Sequence, residues 1–144
     1  MLGLMSDPDP AVALVELDRR ECEELLASSD VGRLAVVVDG RPHIIPVNYA
    51  TPGGGVIVFR TSRGTVLTEA SLQDVAFEVD QLDTATRSGW SVEVRGFGRE
   101  IGDAIDAESV QLRQLPILTW APGERQEWFE VRPAEVTGRR ITPA

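Results

Sequence analysis

Short apolar, β-branched runs alternate along the chain with turn residues, a pattern typical of an antiparallel β protein. The dipeptide Asp39-Gly40 favours a two-residue hairpin turn, because both residues tolerate positive φ. The pattern therefore predicts strands joined by short connections. These strands are Gly32–Val38, Arg41–Ala50, Val56–Arg60, Val75–Asp80, Trp90–Ile101, Glu127–Arg132 and Glu135–Ile141.

Helical spacing replaces this alternation in a few segments. Apolar residues recur at spacings of three and four over Asp18–Ser28. The first residue of this segment can cap a helix, and Glu21 follows three residues later, as in a capping box. Shorter helices are predicted over Thr65–Ser71 and Asp103–Leu115.

The predicted fold class is mainly β: an antiparallel split β-barrel of six or more strands with peripheral helices. A barrel is favoured over an open sheet because closure removes exposed strand edges. Pro42 and Pro46 cannot donate ladder hydrogen bonds, so their strand is expected at an edge or broken there. A flexible arm over residues 1–15 precedes a single domain over residues 16–144.

Composition excludes several classes of function. The 14 basic residues are all arginine, and 23 acidic residues give a net charge of −9. Nucleic-acid binding and docking on an anionic membrane are therefore disfavoured, and no lysine is available for Schiff-base chemistry. One histidine and one cysteine rule out a multi-histidine or cysteine-rich metal site within one chain. The Met1–Pro10 stretch shows no secretion signal, so the expected location is cytoplasmic.

No set of residues forms a self-contained catalytic site, so the catalytic residues are left unknown. His43 stands alone in a strand and is interpreted as structural, and Cys22 as a buried, inert thiol. Glu78 and Asp80 share one side of a strand, which is interpreted as a solvated face. Arg60 ends a strand before hydroxyl and glycine residues, a combination that favours an anion site.

An ordered set of segments resembles the pyridoxamine-phosphate oxidase-like flavoproteins, and most closely their small nitroimidazole-reductase-type branch. The resemblance extends from about Leu17 to Ile141. The segments that carry it are Gly32-Arg33-Leu34, Arg41–Tyr49, Phe59-Arg60-Thr61, Val75–Asp80, Gly89-Trp90-Ser91-Val92 and Gly96, with the ending Pro133–Ile141.

This resemblance implies an FMN-binding oxidoreductase that forms a homodimer with flavin sites between the subunits, acting on a small molecule. Its candidate cofactor-binding residues fall into three groups. Those beside the isoalloxazine ring are Pro46, Val47, Asn48 and Tyr49. Those at the phosphate end are Arg60, Thr61 and Thr65, and the remaining neighbours are Trp90 and Ser91.

One position departs from the family pattern. Many members carry a lysine where this chain has Val66, within Gly64-Thr65-Val66-Leu67, and so a phosphate contact is lost. One charge-assisted bond is worth about 1.5–3 kcal/mol, or roughly a tenfold to hundredfold change in affinity. The alternatives therefore stay open: a deazaflavin- or heme-binding relative, with His43 the sole histidine for a heme, or a non-catalytic binding protein that has lost the flavin.

Overall fold

A computed structural model describes residues 12–61, 73–120 and 127–143, which form seven strands and two helices. The helices are α1 (Arg19–Ala27) and α2 (Ala107–Leu112). The strands are β1 (Val12–Glu16), β2 (Val31–Val38), β3 (Arg41–Gly53), β4 (Val56–Thr61), β5 (Gln73–Asp83), β6 (Ser88–Glu100) and β7 (Glu127–Pro143).

The strands form one antiparallel sheet that closes on itself. Their order is β1-β7-β4-β3-β2-β5-β6, and β6 also pairs with β7. This additional pairing joins the two sides of the sheet and leaves β1 attached outside the ring through β7. The predicted mainly β split-barrel with few helices is therefore confirmed.

The barrel closes through one long strand rather than the two closing strands expected from the sequence. Gly96 of β6 pairs with Pro133, while the preceding residue pairs with Glu135, so Ala134 bulges out of β7. A Cβ atom at Gly96 would lie 1.9 Å from the carbonyl oxygen of Arg132. The missing side chain thus lets the two backbones approach closely, and the strand bends at the bulge without ending.

The N-terminal part of the described chain is also more ordered than expected. Val12–Glu16, assigned from the sequence mostly to a flexible arm, forms β1 and pairs with residues 139–143 of β7. The paired residues of β1 and β7 lie near opposite ends of the sequence, so local composition could not indicate that they pair. The rest of the expected arm lies outside the described residues.

Helix α1 follows the prediction closely. The Asp18 side chain accepts a hydrogen bond from the Glu21 backbone N–H at 2.8 Å, as a helix cap should. Cys22 and Leu26 are completely buried on the inner side of the helix. Burial raises the pKa of the Cys22 thiol, with nearby carboxylates adding to the shift, in agreement with an unreactive core residue.

Helix α2 is shorter than the Asp103–Leu115 helix expected from the sequence. It begins after the cap Asp106 and spans only six residues. The Arg113 guanidinium donates to the carbonyl oxygens of Ile101 and Ala104, which holds the preceding segment outside the helix. The helix expected over Thr65–Ser71 lies outside the described residues.

Alternating side chains divide each strand into an inner and an outer face. Inner residues such as Leu34, Phe77 and Val94 fill the barrel. A smaller cluster lies on the outer face under α2 and contains Val58, Ile101, Leu112 and Ile117. Within the described residues, no helix is long and apolar enough to cross a membrane.

Candidate functional site

Among the described strands, the first part of β3 pairs with β2 on one side only. Asp39 and Gly40 form the two-residue turn before β3, with φ values of 53° and 73°. The residues that flank such a turn exchange hydrogen bonds, and the pattern then alternates along the hairpin. By this alternation Pro42 and Pro46 direct their backbone nitrogens away from β2. The described pairing of β3 with β4 begins only at Tyr49.

This geometry agrees locally with the expectation that the prolines mark a strand edge. As a whole, β3 is an interior strand, yet residues 41–48 form an edge locally among the described strands. The backbone groups that point away from β2 there include the N–H and C=O of Ile44 and the N–H of Asn48, whereas the Asn48 C=O faces β4 at Arg60. Such an edge offers hydrogen bonds to a ligand with a polar rim.

Among the four ring candidates, two side chains face outward and two face the core. Pro46 is exposed and Asn48 is partly exposed, whereas Val47 and Tyr49 are buried. The Tyr49 hydroxyl donates to the Leu26 carbonyl oxygen, and burial raises the Tyr49 pKa to about 12. Val47 and Tyr49 can therefore meet an outer-face ligand only through their backbone.

Arg60 lies close to Asn48 on the outer face. Tyr49 pairs with Phe59, so the residues next to this pair, Asn48 and Arg60, lie on the same face of adjacent strands. The Arg60 guanidinium stacks over the Trp128 ring at 5.0 Å, which fixes the plane of its donors. This places one candidate for the phosphate end beside one candidate for the ring.

Thr61 and Thr65 are placed differently. Thr61 is buried, with only 7% of its surface exposed, and it pairs with Glu127 of β7. Its side of the strand is the inner one, opposite Arg60. Thr65, like Val66, lies outside the described residues.

A strap over residues 113–120 reaches the same place from α2. The Trp120 backbone N–H donates to Asn48 Oδ1 at 2.8 Å, and Asn48 Nδ2 donates to the Asp30 carbonyl oxygen at 3.5 Å. These two bonds hold the Asn48 amide in one orientation. The strap was missed by sequence reasoning, since its residues show no periodic pattern that indicates where it docks.

Trp90 and Ser91 lie on opposite sides of β6. Trp90 packs against the inner core cluster, so its side chain does not face the outer surface. Ser91 is outward and pairs with Asp80 on one side and Arg139 on the other. Since β6 lies three strand positions from β3, the Ser91 backbone is about 14 Å from Asn48 within one chain.

Two carboxyl groups lie between these locations, on the outer face of β5. Arg33 NH1 lies 3.6 Å from Glu78 Oε1 and 3.4 Å from Asp80 Oδ2. Burial raises the Glu78 pKa to about 7, and the neighbouring Asp80 adds to this effect. Glu78 lies on the partly solvated outer face that the sequence predicted, but the neighbours that the sheet brings to this position bury its Oε1 atom.

His43 does not join the outer-face candidates. It lies on the same side of β3 as Ile45 and Val47, opposite Pro46 and Asn48. The described residues contain no group of three histidine, cysteine or acidic side chains that could hold a metal ion.

Known proteins resemble the chain over nearly its whole length. The family model described as pyridoxamine 5'-phosphate oxidase matches residues 18–140. An uncharacterized protein of Mycobacterium tuberculosis is 36% identical over 141 residues, covering 94% of this chain and 91% of that protein.

Two solved structures extend the comparison. An FAD-binding protein of Mycobacterium smegmatis is 33% identical, with a TM-score of 0.65, covering 89% of this chain and 98% of that one. A Corynebacterium glutamicum protein, provisionally named a pyridoxamine 5'-phosphate oxidase, is 27% identical with a TM-score of 0.73. That match covers 92% of this chain and 100% of the other chain. The chain thus belongs to the pyridoxamine 5'-phosphate oxidase-like family of flavin-binding split-barrel proteins.

Proposed function

We propose that this protein binds a flavin on the outer face beside β3 and uses it to reduce or oxidise a small molecule. The observation that carries the proposal is the juxtaposition of the β3 edge that pairs only with β2 among the described strands, the fixed Asn48 amide and the Arg60 guanidinium. A flavin presents the complementary groups, namely a ring edge with alternating donors and acceptors and an anionic phosphate.

In this arrangement the chain's own residues supply binding and orientation. The β3 backbone from Pro46 to Asn48 would hold the polar edge of the ring, and Arg60 would neutralise the phosphate. A bound flavin would supply the electron transfer itself, which accounts for the lack of an evident catalytic constellation in the sequence.

The identity of the flavin is a separate part of the proposal. The resemblance in the sequence implied FMN, whereas the relative from Mycobacterium smegmatis that is 33% identical is an FAD-binding protein. FAD is therefore the first candidate and FMN the second. Both share the ring and the first phosphate, so the residues proposed here serve either molecule.

The flavin proposal is tested by equilibrium binding and absorption spectroscopy of the purified chain with FAD and with FMN. Arg60→Gln should weaken binding about tenfold to a hundredfold, because a charge-assisted phosphate contact is lost. Arg41→Gln, which changes an exposed arginine at the start of β3, is the matched control and should leave the affinity unchanged. A protein that retains neither flavin would overturn the proposal, and a deazaflavin or heme spectrum would replace the cofactor.

We also propose that the active form is a homodimer. Large apolar side chains remain exposed along the outer face and the strap, which is typical of an interaction surface. The exposed fraction is 73% for Ile44 and 69% for Trp120. Ile44→Glu should shift the protein from dimer to monomer in analytical ultracentrifugation, whereas Ile105→Glu, an exposed position beyond β6, should not. A wild-type monomer at micromolar concentration would contradict the proposal.

A further inference from the structure

A cavity of about 670 Å³ lies on the outer face beyond β5, near one of the flavin candidates. Its volume is in the range of small-molecule pockets. Glu78 and Ser91 line one side, and Leu14, Leu17 and Val136 supply apolar contacts. The cavity can therefore take a small, partly apolar molecule and place it against the Glu78 carboxyl group.

Glu78 is held in an unusual arrangement within this wall. Its Oε1 atom is buried and has no hydrogen-bond partner in the structure, although the side chain as a whole is 36% exposed. The nearest cation, Arg33, is 3.6 Å from this atom and is shared with Asp80. One guanidinium thus faces two carboxyl groups, which favours a proton on one of them.

Besides Arg33 on β2, the charges around Glu78 come from four more strands. Asp80 is on β5 itself, and Glu93 lies directly opposite Glu78 on β6. Glu16 of β1 and Arg139 of β7 line the same cavity. Three carboxylates therefore lie around Glu78, and the described cations near them are Arg33, Arg139 and Arg95, which lies 3.3 Å from Glu93.

Burial and these neighbouring carboxylates act in the same direction. Burial is the largest cause that raises the Glu78 pKa to about 7, and Asp80 and Glu93 raise it further, whereas Arg33 lowers it. Glu78 therefore holds its proton more tightly than an ordinary glutamate does. A carboxylic acid with a pKa near the working pH is well suited to proton transfer.

We propose that Glu78 is the proton donor for the small molecule that is reduced in this cavity, with Asp80 and Arg33 as positioning residues. The inference rests on the proposed flavin function. The substrate class is a molecule with an electron-poor double bond, such as a quinone. Its reduction consumes a hydride equivalent from the reduced flavin and one proton from Glu78.

The atoms and electrons of this step balance. The O–H bond of Glu78 breaks, and the proton forms a bond with the substrate oxygen that gains negative charge. The substrate ends two electrons and two hydrogens richer, one hydrogen from each donor. The Glu78 carboxylate left behind is stabilised by Arg33 and regains its proton from water.

The position of Glu78 agrees with this role. Arg33 pairs with Pro46 on one side and with Glu78 on the other, so Glu78 lies two strands, about 10 Å, from the proposed ring contact. On the neighbouring strand β6, Ser91 lies two residues from Glu93, which pairs with Glu78. Glu78 therefore lies between the two groups of residues proposed to contact the flavin.

The first arm of the experiment needs no flavin. Infrared spectroscopy of the chain alone between pH 5 and 9 follows the carboxylic C=O band. Wild type should keep such a band near neutral pH, and Glu78→Gln should lose it. Glu135→Gln, a matched outer-face carboxylate paired with Arg95, should retain it. A wild-type protein without the band near pH 7 overturns the proposal whatever the flavin does.

The second arm uses the flavin-loaded, reduced protein and menadione as the probe in stopped-flow measurements. The wild-type rate should fall as pH rises through about 7. Glu78→Gln should slow the reaction about a hundredfold and remove this pH dependence, because a general acid contributes at least that much. Glu135→Gln should behave like wild type.

The outcomes separate the two proposals. A chain that binds flavin and shows an unchanged rate and pH profile in Glu78→Gln overturns the proton-donor role and leaves the flavin function intact. A chain that retains no flavin overturns both. Loss of flavin binding in Glu78→Gln alone would also overturn the proton-donor role, since the residue would then be needed for binding.

Discussion

Glu78 and Glu130 both lie on the outer face of the barrel beside arginines, yet their surroundings differ. Glu78 is partly exposed and shares one arginine with a second carboxyl group. Glu130 is completely buried under α2 and receives two arginines. Arg99 contacts its Oε1 through two nitrogens at 2.9 Å, and Arg132 Nε lies 3.1 Å from its Oε2.

The ratio of cations to carboxylates explains this difference. Around Glu130, two guanidinium groups offset the cost of removing one carboxylate from water. The same arginines continue to Asp106, Glu108 and Ser109, so the network fastens α2 to β6 and β7. Around Glu78 the carboxyl groups outnumber the nearest cation. One acidic residue therefore serves the structure, while the other is free to exchange a proton.

The largest expected effect comes from removing the buried member of this pair. Glu130→Ala should lower the free energy of unfolding by about 3 kcal/mol, since Arg99 and Arg132 lose the acceptor that compensates their partial burial. Urea denaturation monitored by circular dichroism measures the loss. A change below about 1 kcal/mol would show that the network contributes little to stability.

Protonation of Glu78 should change the free energy of unfolding of the whole chain with pH. Its pKa is about 7 in the folded state, against an ordinary value of 4.5, so the folded state binds the proton more tightly. The stability contributed by this group is fully present below about pH 4.5 and is lost as pH rises through about 7. The decline should be smaller in Glu78→Gln than in wild type.

Urea denaturation at several pH values measures this dependence, with Glu135→Gln as the control that keeps the wild-type decline. Parallel curves for wild type and Glu78→Gln between pH 4.5 and 7 would contradict the prediction.

Removing a cation beside Glu78 should directly test the comparison between Glu78 and Glu130. Arg33→Gln removes the nearest cation, which lowers the Glu78 pKa, so this pKa should rise above about 7. Carbon-13 NMR of labelled glutamate side chains measures the shift. An unchanged or lower Glu78 pKa would mean that the neighbouring carboxyl groups, rather than Arg33, set this pKa.

The smallest effect is expected at the exposed end of the Glu130 network. Glu108 forms an ion pair with Arg132 and is more than half exposed. Glu108→Gln should change the free energy of unfolding by less than about 1 kcal/mol, because water already screens this pair. A loss as large as that of Glu130→Ala would contradict the assignment of the burial effect to Glu130.

Features that depend on neighbours in sequence could be predicted well. The Asp18 cap and the Asp39-Gly40 turn are set by the local chemistry of a few residues, and both are present as expected. The alternation of apolar residues also indicated the strands, since inner residues recur at every second position.

Features that depend on strand register could not be predicted. The environment of Glu78 requires Arg33 and Glu93 to lie opposite it on two other strands, and no local pattern encodes this pairing. The contact between the strap at Trp120 and Asn48 joins residues that are even farther apart, 72 positions in the sequence. The side chains of Val47 and Trp90 carried the family resemblance but face inward, so their proposed cofactor contacts stay predictions.

The closing strand β7 also sets the order in which the chain can fold. It pairs with β4 and β6 and, near its end, with β1, whose residues are the first that the structure describes. A chain still attached to the ribosome can form the β2–β3 hairpin early, but it cannot complete the ring until β7 has emerged. Such non-local pairing slows folding, and until it forms the strand edges of β4 and β6 are open to association with other nascent chains.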